Sequence, residues 1–450
     1  MLAGGLQKQL ITMNDYGLAF LSVNLVLLLV LPRRWAPLPL LVGACYIVRE
    51  QSVEVGPFHF TLLRLLLAGG MLRVVMRREW PTGGINSMDW WMLVWAGWAL
   101  TSSFFYKNPS AEIIFRLGLI YDAFGIYFLI RIFCQSFEDV ELLSRMIVIL
   151  LIPVAAEMIY EKLTAHNLFN LLGGGWQESA IRDGKIRARG PFAHAILAGT
   201  IGAVNLPMIC FLWQNHRKLA LAGFFVCFTM IYTSTSSGPI LSGMAGVGAL
   251  FMWHYRDRMK WIRWLAVFCY IFLDFVMIDP AYYLLARIDL TGSSTGWHRA
   301  YLIRSAVSHL SEWWVAGTDH TRHWMPTGVS WSPDHSDITN HYLQMGVIGG
   351  LPLMFLFIAI LFTGFSLVGK TLQQFPELPK NHLFMMWSLG ACLFAHAMTF
   401  VSVSYFDQSF MFIYLTLAII VSAWSSIGTA PVPVIEADNI EGNRPASFAE

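Results

Sequence analysis

Long apolar runs separated by short polar segments recur along almost the whole chain. A helix needs about 20 mainly apolar residues to span the hydrocarbon core of a bilayer. The runs predict thirteen spanning helices, near residues 16–32, 35–48, 57–76, 88–106, 111–133, 144–161, 191–213, 218–236, 238–255, 261–279, 341–369, 382–403 and 408–425. The second run is short and contains Pro37 and Pro39, so it also fits a re-entrant hairpin or an interfacial segment. The predicted count is therefore twelve or thirteen.

Basic residues are distributed unequally between the short loops, which predicts the orientation, because cytoplasmic loops collect Lys and Arg. One set of alternate loops holds Arg33, Arg34, Arg77, Arg78, Arg131, Arg217, Lys218, Arg256, Arg258, Lys260, Arg263, Lys370 and Lys380. The other set holds only Arg49 and Lys107. We expect the first set inside, and the longer loops 162–190 and 280–340 outside. The arginines directly after the first run also argue against a cleaved signal peptide.

Composition excludes a soluble protein. Of the 450 residues, 56% are hydrophobic and only 13% charged, whereas soluble domains carry about 25% charged residues. The formal net charge is +2 and the basic residues form no stripe, so we expect no nucleic-acid partner. The six cysteines lie in or beside apolar runs without a CxxC pair, which indicates neither disulfides nor a zinc site.

The second outer loop is rich in tryptophan, histidine and arginine. Its segment Gly296–Leu310 has helical apolar spacing at Trp297, Tyr301, Leu302, Ala306 and Leu310, which predicts a helix lying flat on the membrane surface. Trp313 and Trp314 have an equally simple interpretation as an interfacial aromatic belt.

The end of this loop carries the most informative pattern: His335-Ser336, nine residues, then Gly346-x-x-Gly349, leading into an apolar run. This order resembles the signature of the O-antigen ligase and polymerase superfamily, membrane glycosyltransferases whose motif lies on a large periplasmic loop. The resemblance extends less sharply to Arg187–His194 and to Gly296–Arg299, whereas residues 1–150 match only as apolar helices. One departure is Ser237, which stands where many members carry an arginine, and it favours a polymerase over a ligase.

The resemblance implies transfer of a sugar from a polyprenyl diphosphate to a growing polysaccharide, with inversion at the anomeric carbon and without a metal or other cofactor. The protein must orient an acceptor hydroxyl, take its proton and stabilise the departing diphosphate. Histidine, with an ordinary pKa of about 6.5, suits the base. His335 is the first candidate, and Asp337 and His341 are orienting or alternative partners.

Arginine suits the diphosphate, because its planar fork binds phosphate oxygens and stays charged. The candidates are Arg299 first, then Arg187 and Arg189, and also Arg304. Candidates for stacking on sugar rings are Trp324, Trp331 and Tyr342.

Simpler interpretations remain open for several of these residues. His341 fits a capping or packing role, the arginines fit interfacial anchors, and Gly346, Gly349 and Gly350 fit close helix approach. Charges within apolar runs, at Arg64, Arg116, Asp122 and Asp274, are costly and need partners on other helices or a functional role.

We therefore expect an all-α polytopic membrane protein in the bacterial inner membrane, with residues 1–428 as the transmembrane domain, a periplasmic site and a disordered cytoplasmic tail at 429–450. Expected partners are the lipid-linked oligosaccharide, a polysaccharide acceptor and the bilayer, with a chain-length regulator protein as a further candidate. Three alternatives stay open: a ligase acting on lipid A core or protein, a flippase or transporter of lipid-linked sugar, and a non-catalytic scaffold.

Overall fold

The computed structural model describes residues 13–47, 51–172, 179–287, 290, 296–330 and 332–427, and over these residues the chain is mainly helical. The helices are α1 (Asp15–Val30), α2 (Pro37–Tyr46), α3 (Leu62–Arg77), α4 (Ser87–Ser102), α5 (Pro109–Phe133), α6 (Phe137–Thr164), α7 (Ala195–Leu212), α8 (Arg217–Thr233), α9 (Ser237–Phe251), α10 (Met259–Val276), α11 (Leu284–Arg287), α12 (Gly296–Ser308), α13 (Leu310–Trp313), α14 (His341–Gln374), α15 (Lys380–Thr399) and α16 (Phe410–Ile427). Two antiparallel hairpins pair β1 (Ser52–Val55) with β2 (Phe58–Thr61) and β3 (Ala180–Arg182) with β4 (Lys185–Arg187). These hairpins are small additions to the expected all-helical fold. The predicted tail at 429–450 lies outside the described residues.

Within the described residues, five helices are long and apolar enough to cross a membrane: α5, α6, α7, α14 and α16. A sixth span passes the same test if the helical stretch Ser237–Val276 is joined to Ala281–Arg287 across a bend of 91°. The chain is thus a multi-pass membrane protein with helical spans. Every predicted run overlaps one helix, but α1, α3, α4, α8 and α9 have only 15 to 17 residues. The total of twelve or thirteen spans stays a prediction.

The doubtful second run forms α2, which has 10 residues. At 1.5 Å per residue it covers about 15 Å, roughly half of a bilayer core. It packs against α1, α3 and α6, and most of its residues are buried. The segment is therefore a short buried helix, about half as long as a usual span.

Several helices start at a side chain that binds free backbone N–H groups. Asn86 caps α4 in a capping box with Asp89, Ser136 caps α6 and Asn340 caps α14. Such caps satisfy donors that a membrane interior cannot hydrate. They fix where the apolar runs become helical.

The core is a bundle in which α7 packs against α8, α9 and α15, while α4 packs against α14 and α5 against α16. In contrast, α10 has no buried residue. Its Trp261 is 76% and its Phe275 87% exposed. An apolar helix with this exposure is stable only if lipid covers it, which agrees with a membrane location.

The charges within the apolar runs have partners. Arg64 binds both carboxylate oxygens of Asp122, at 2.9 and 2.7 Å. Arg116 binds Glu112 at 2.9 Å and Ser103 Oγ at 3.0 Å, and it donates to the carbonyl oxygen of Ile348. These charges therefore hold helices together, which answers the question that the sequence left open for Arg116 and Asp122.

The carbonyl of Ile348 accepts this bond because α14 is broken directly afterwards, at Gly349 and Gly350. Gly350 has φ +74°, and a Cβ there would lie 2.2 Å from the carbonyl oxygen of Val315. The break lets the chain directly after α13 lie against α14. Gly350 thus permits close approach of a second backbone segment, whereas Gly346 lies against the Trp313 ring.

The most enclosed ion pair joins Asp89 to Arg131, at 2.6 and 2.7 Å, and the Tyr127 hydroxyl donates to the same carboxylate at 2.7 Å. Asp89→Asn keeps the shape but leaves Arg131 buried without its counter-charge, so we expect a loss of about 3 to 5 kcal/mol in the free energy of unfolding. Unfolding of the purified protein in detergent micelles measures it. Asp15→Asn, at an exposed position in the first turn of α1, is the control, and equal stability of the two variants would contradict the prediction.

Candidate functional site

The segment between β4 and α7, residues 187–194, is fixed by hydrogen bonds to several helices. The Glu161 carboxylate, fully buried near the end of α6, accepts from the backbone N–H groups of Arg189 at 2.8 Å and Gly190 at 2.9 Å. Other bonds are Ala188 N to Thr233 O at 3.1 Å, Gln408 Nε2 to Pro191 O at 2.8 Å, and Ala193 N to Asp407 Oδ2 at 2.8 Å. The segment is therefore held in one conformation, as a preorganised site requires.

Arg187 lies at the end of β4 and points to the turn between α8 and α9. Its Nη2 donates to Ser236 Oγ at 2.7 Å. A guanidinium has five N–H donors. Within the described part of the chain, Arg187 makes this one hydrogen bond, and its Nε is buried without a partner. Arg187 is itself 8% exposed. The result is a buried cation bonded to a neutral serine.

Three further arginines lie near Arg187, and we call Arg182, Arg187, Arg189 and Arg299 the arginine cluster. Desolvation lowers the pKa of Arg187, and the charges of Arg182 and Arg299 lower it further. Desolvation also lowers the pKa of Arg299, again with a contribution from Arg182. Like charges crowd together here, which costs free energy unless an anion compensates. The positive charge of the cluster suits an anionic group.

His194, the residue before α7, borders the cluster. Desolvation lowers its pKa to about 4, and Arg187, Arg189 and Arg182 add to the effect. Its Nδ1 accepts from the backbone N–H of Ile196 at 3.1 Å, which requires the neutral ring. His194 is therefore a neutral hydrogen-bonding group near pH 7, not an additional cation.

Asp337 lies near Arg299 and His298, and it interacts electrostatically with both. Arg299 is held by a bond from Nε to the carbonyl oxygen of Ser402 at 3.1 Å. Asp337 is accessible to solvent, yet desolvation raises its pKa above 3.8, against the opposing effects of His298 and Arg299. Desolvation lowers the pKa of His298. An accessible carboxylate with a raised pKa is suited to accept a proton.

His335 has different neighbours. Its Nδ1 lies 2.8 Å from Ser332 Oγ, and its ring lies near Glu112 at the start of α5. An electrostatic interaction thus joins Asp337 to Arg299 of the arginine cluster, whereas the interactions described for His335 are with Ser332 and Glu112. The two residues come from one motif but face different surroundings.

His341 is packed inside the bundle and Tyr342 is half-buried against it, in contrast to their expected contacts with substrate. His341 is 1% exposed, and its ring lies against Phe357, Phe400 and Tyr405. The Tyr342 hydroxyl donates to the carbonyl oxygen of Ala397 at 2.9 Å. Both side chains belong to the first turn of α14 and stabilise its packing, which is the simpler interpretation considered for His341.

Three other candidates lie apart from the cluster or outside the described residues. Trp324 is 1% exposed and donates from Nε1 to Glu312 Oε2 at 3.1 Å, so its ring is covered by protein. Arg304 is exposed and binds the Tyr283 hydroxyl at 3.2 Å. Trp331 lies outside the described residues. The structure thus brings Arg187, Arg189, Arg299 and Asp337 together from the predicted set.

The helix predicted for Gly296–Leu310 exists as α12, but its faces differ from the prediction. Leu302 and Ala306 are buried, whereas Trp297 is 53% and Tyr301 40% exposed. The reason is that α12 packs one small-residue face against the protein and turns its aromatic residues outward.

Sequence reasoning gave no role to Arg182, His194, His298, Ser236 or Glu161. His194 and His298 stand within the two segments that carried the family resemblance, so the signal was present. Arg182 and Glu161 are recognised only once β3, β4 and α6 come together in space.

Groups with metal-ligand chemistry lie elsewhere in the second outer loop, at His309, Glu312 and His323. The arginine cluster itself offers cations, which favour an anion over a metal ion.

No protein-family model matches the chain, and no curated protein shows a significant match to it.

Proposed function

We propose that the chain is a membrane glycosyltransferase of the O-antigen ligase and polymerase type. It transfers oligosaccharide repeat units from a polyprenyl-diphosphate carrier to a growing surface polysaccharide, at the outer face of a bacterial inner membrane. The observation that carries this proposal is the arginine cluster around the buried, incompletely bonded guanidinium of Arg187.

A polyprenyl diphosphate fits this cluster in its charge and in the position of the cluster at the ends of apolar helices. Its diphosphate carries more than one negative charge, and arginine binds phosphate oxygens through paired N–H groups. Arg187 is bonded to Ser236, next to the start of α9, and residues 187–194 lead directly into α7. The cluster therefore lies at the ends of apolar helices, where the headgroup of a membrane-bound carrier would be.

The position of Arg187 also accounts for the departure from the family pattern at Ser237. Arg187, from the neighbouring loop, brings a guanidinium to Ser236, one residue from the missing arginine. A cation is thereby available for the diphosphate without an arginine on α9. This supports a diphosphate site at the cluster despite the missing arginine.

In the proposed reaction, Asp337 is the base. The acceptor hydroxyl gives its proton to the Asp337 carboxylate, and its oxygen forms a bond to the anomeric carbon. The bond from that carbon to the diphosphate oxygen breaks, and its electron pair stays on the diphosphate. Arg187 and Arg299 stabilise this charge as it grows, which lowers the barrier most when they are fixed beforehand. Attack opposite the leaving group inverts the anomeric carbon.

The proposed topology follows the distribution of basic residues. It has twelve or thirteen spans, the loops 162–190 and 280–340 in the periplasm, and the tail in the cytoplasm, where a chain-length regulator could bind it. The polar groups gather at outer loops and helix ends, which favours an enzyme over a transporter with polar groups at the bilayer midplane.

Deleting the coding sequence tests the proposal. We expect surface polysaccharide to disappear and the lipid-linked repeat unit to accumulate on the outer face of the inner membrane. The purified wild-type protein should then join repeat units extracted from that strain. Repeat units confined to the inner face would identify a flippase, and unchanged polymer would refute the proposal.

A further inference from the structure

Three side chains with metal-ligand chemistry converge in the second outer loop. Ligand atoms of His309, Glu312 and His323 all lie within 4.8 Å of one another. Glu312 Oε2 and His323 Nε2 are already 2.9 Å apart. His309 lies ten residues after Arg299, about 15 Å along a helical path. We call this group the His-Glu-His triad.

The nitrogen that His309 can offer is fixed by a hydrogen bond. Its Nδ1 lies 2.8 Å from the carbonyl oxygen of Ser305, and because a carbonyl only accepts, Nδ1 carries the proton. Nε2 then has the free lone pair. Metal-binding histidines are typically oriented in this way by a backbone carbonyl on the second nitrogen.

Glu312 and His323 are also supported. Trp324 Nε1 donates to Glu312 Oε2 at 3.1 Å, and the rings of His309 and Trp324 stack with centroids 6.0 Å apart. Trp324 thus serves the triad, which explains why a residue expected to contact sugar is buried. Glu312 and His323 are exposed, so an ion can enter from solvent.

We infer that the triad binds one transition-metal ion, with zinc as the ion best suited to it. Two imidazole nitrogens and one carboxylate oxygen are a ligand set that zinc accepts, with water in the fourth position. On binding, the neutral His323 ring carries its one proton on Nδ1, exchanged through solvent, so that Nε2 offers its lone pair and the ion replaces the bond between His323 and Glu312. The inference does not depend on the proposed glycosyltransferase activity.

The ion would join two parts of the loop. His309 and Glu312 lie at the end of α12 and in α13, whereas His323 belongs to the turn 321–324. That turn is bonded to the segment before Asp337: the N–H groups of Thr321 and Arg322 donate to Asp334 O at 2.9 and 3.0 Å, and Ser336 N donates to Thr321 Oγ1 at 3.0 Å. Metal binding would therefore stiffen the segment that carries Asp337.

Zinc content measures this directly. The full chain is purified in detergent through a tag that contains no histidine, stripped with a chelator and dialysed against zinc alone. We expect one zinc ion per chain in the wild type, and at least a roughly 100-fold weaker affinity in His309→Ala and His323→Ala, since even outer-shell changes cost about 10- to 100-fold. His59→Ala, an exposed histidine paired with Glu54 in the first hairpin, is the control and should bind normally.

X-ray absorption spectroscopy on the zinc-loaded wild type is independent of variant folding. Two imidazoles with oxygen ligands would support the site. Sulfur ligands, undiminished zinc in the double variant His309→Ala/His323→Ala, or no stoichiometric zinc in the wild type would each overturn it.

Discussion

Asp337→Asn is expected to lower the rate of sugar transfer by about 100- to 10,000-fold, the range for loss of a general base. Asparagine has the shape of aspartate but cannot accept the proton of the acceptor hydroxyl. The assay uses purified protein and the lipid-linked repeat units that accumulate in the deletion strain. Because Asp337 is accessible to solvent, thermal stability in detergent should stay close to that of the wild type.

The pH dependence separates a base from a structural carboxylate. Asp337 acts as a base only when it is deprotonated, and desolvation raises its pKa above 3.8. The wild-type rate should therefore fall as the pH decreases through this raised value. Asp337→Glu should keep such an acidic limb, and the residual rate of Asp337→Asn should lack it.

His335→Ala is the comparison that decides between the two motif residues. His335 lies near Ser332 and Glu112, whereas Asp337 lies near Arg299 of the arginine cluster, so we expect the smaller loss of rate in this variant. Full activity in Asp337→Asn together with an inactive His335→Ala would return the role of base to the histidine.

The helices could be predicted from the sequence because apolar runs are a local property. The bounds could not, since caps such as Asn86 and the break at Gly349 and Gly350 depend on particular polar bonds and on neighbouring chain. The second run shows the same limit. Its composition suited a span, but α2 has 10 residues.

The sequence predicted which two loops form the candidate site. It did not predict which of their side chains lie near one another. The motif spacing selected the segment 334–350, but side-chain direction depends on tertiary packing. Asp337 faces Arg299, whereas His341 enters the aromatic core. Likewise, nothing local in the sequence joins Arg187 to Ser236, which is 49 residues away.

Arg187→Gln is expected to lower the rate of sugar transfer by about 100- to 1,000-fold, the usual cost of removing one group that stabilises charge in the transition state. Glutamine can still donate to Ser236 Oγ, but it supplies neither the charge nor the second donor for a phosphate oxygen. Arg187→Lys keeps the charge without the planar fork and should have an intermediate rate. Inorganic diphosphate should inhibit the wild type more strongly than Arg187→Gln.

Arg304→Gln is the matched control, because Arg304 lies in the same outer loop as Arg299 but is exposed and bonded to Tyr283. It should retain wild-type activity. Thermal stability is a second measurement, and we expect it not to fall when the activity falls. Since desolvation and like charges lower the pKa of Arg187, the folded protein disfavours this cation, and removing it should leave the thermal unfolding temperature unchanged or higher. An inactive but destabilised Arg187→Gln would instead show that Arg187 maintains the fold, and the arginine cluster would lose its assigned role.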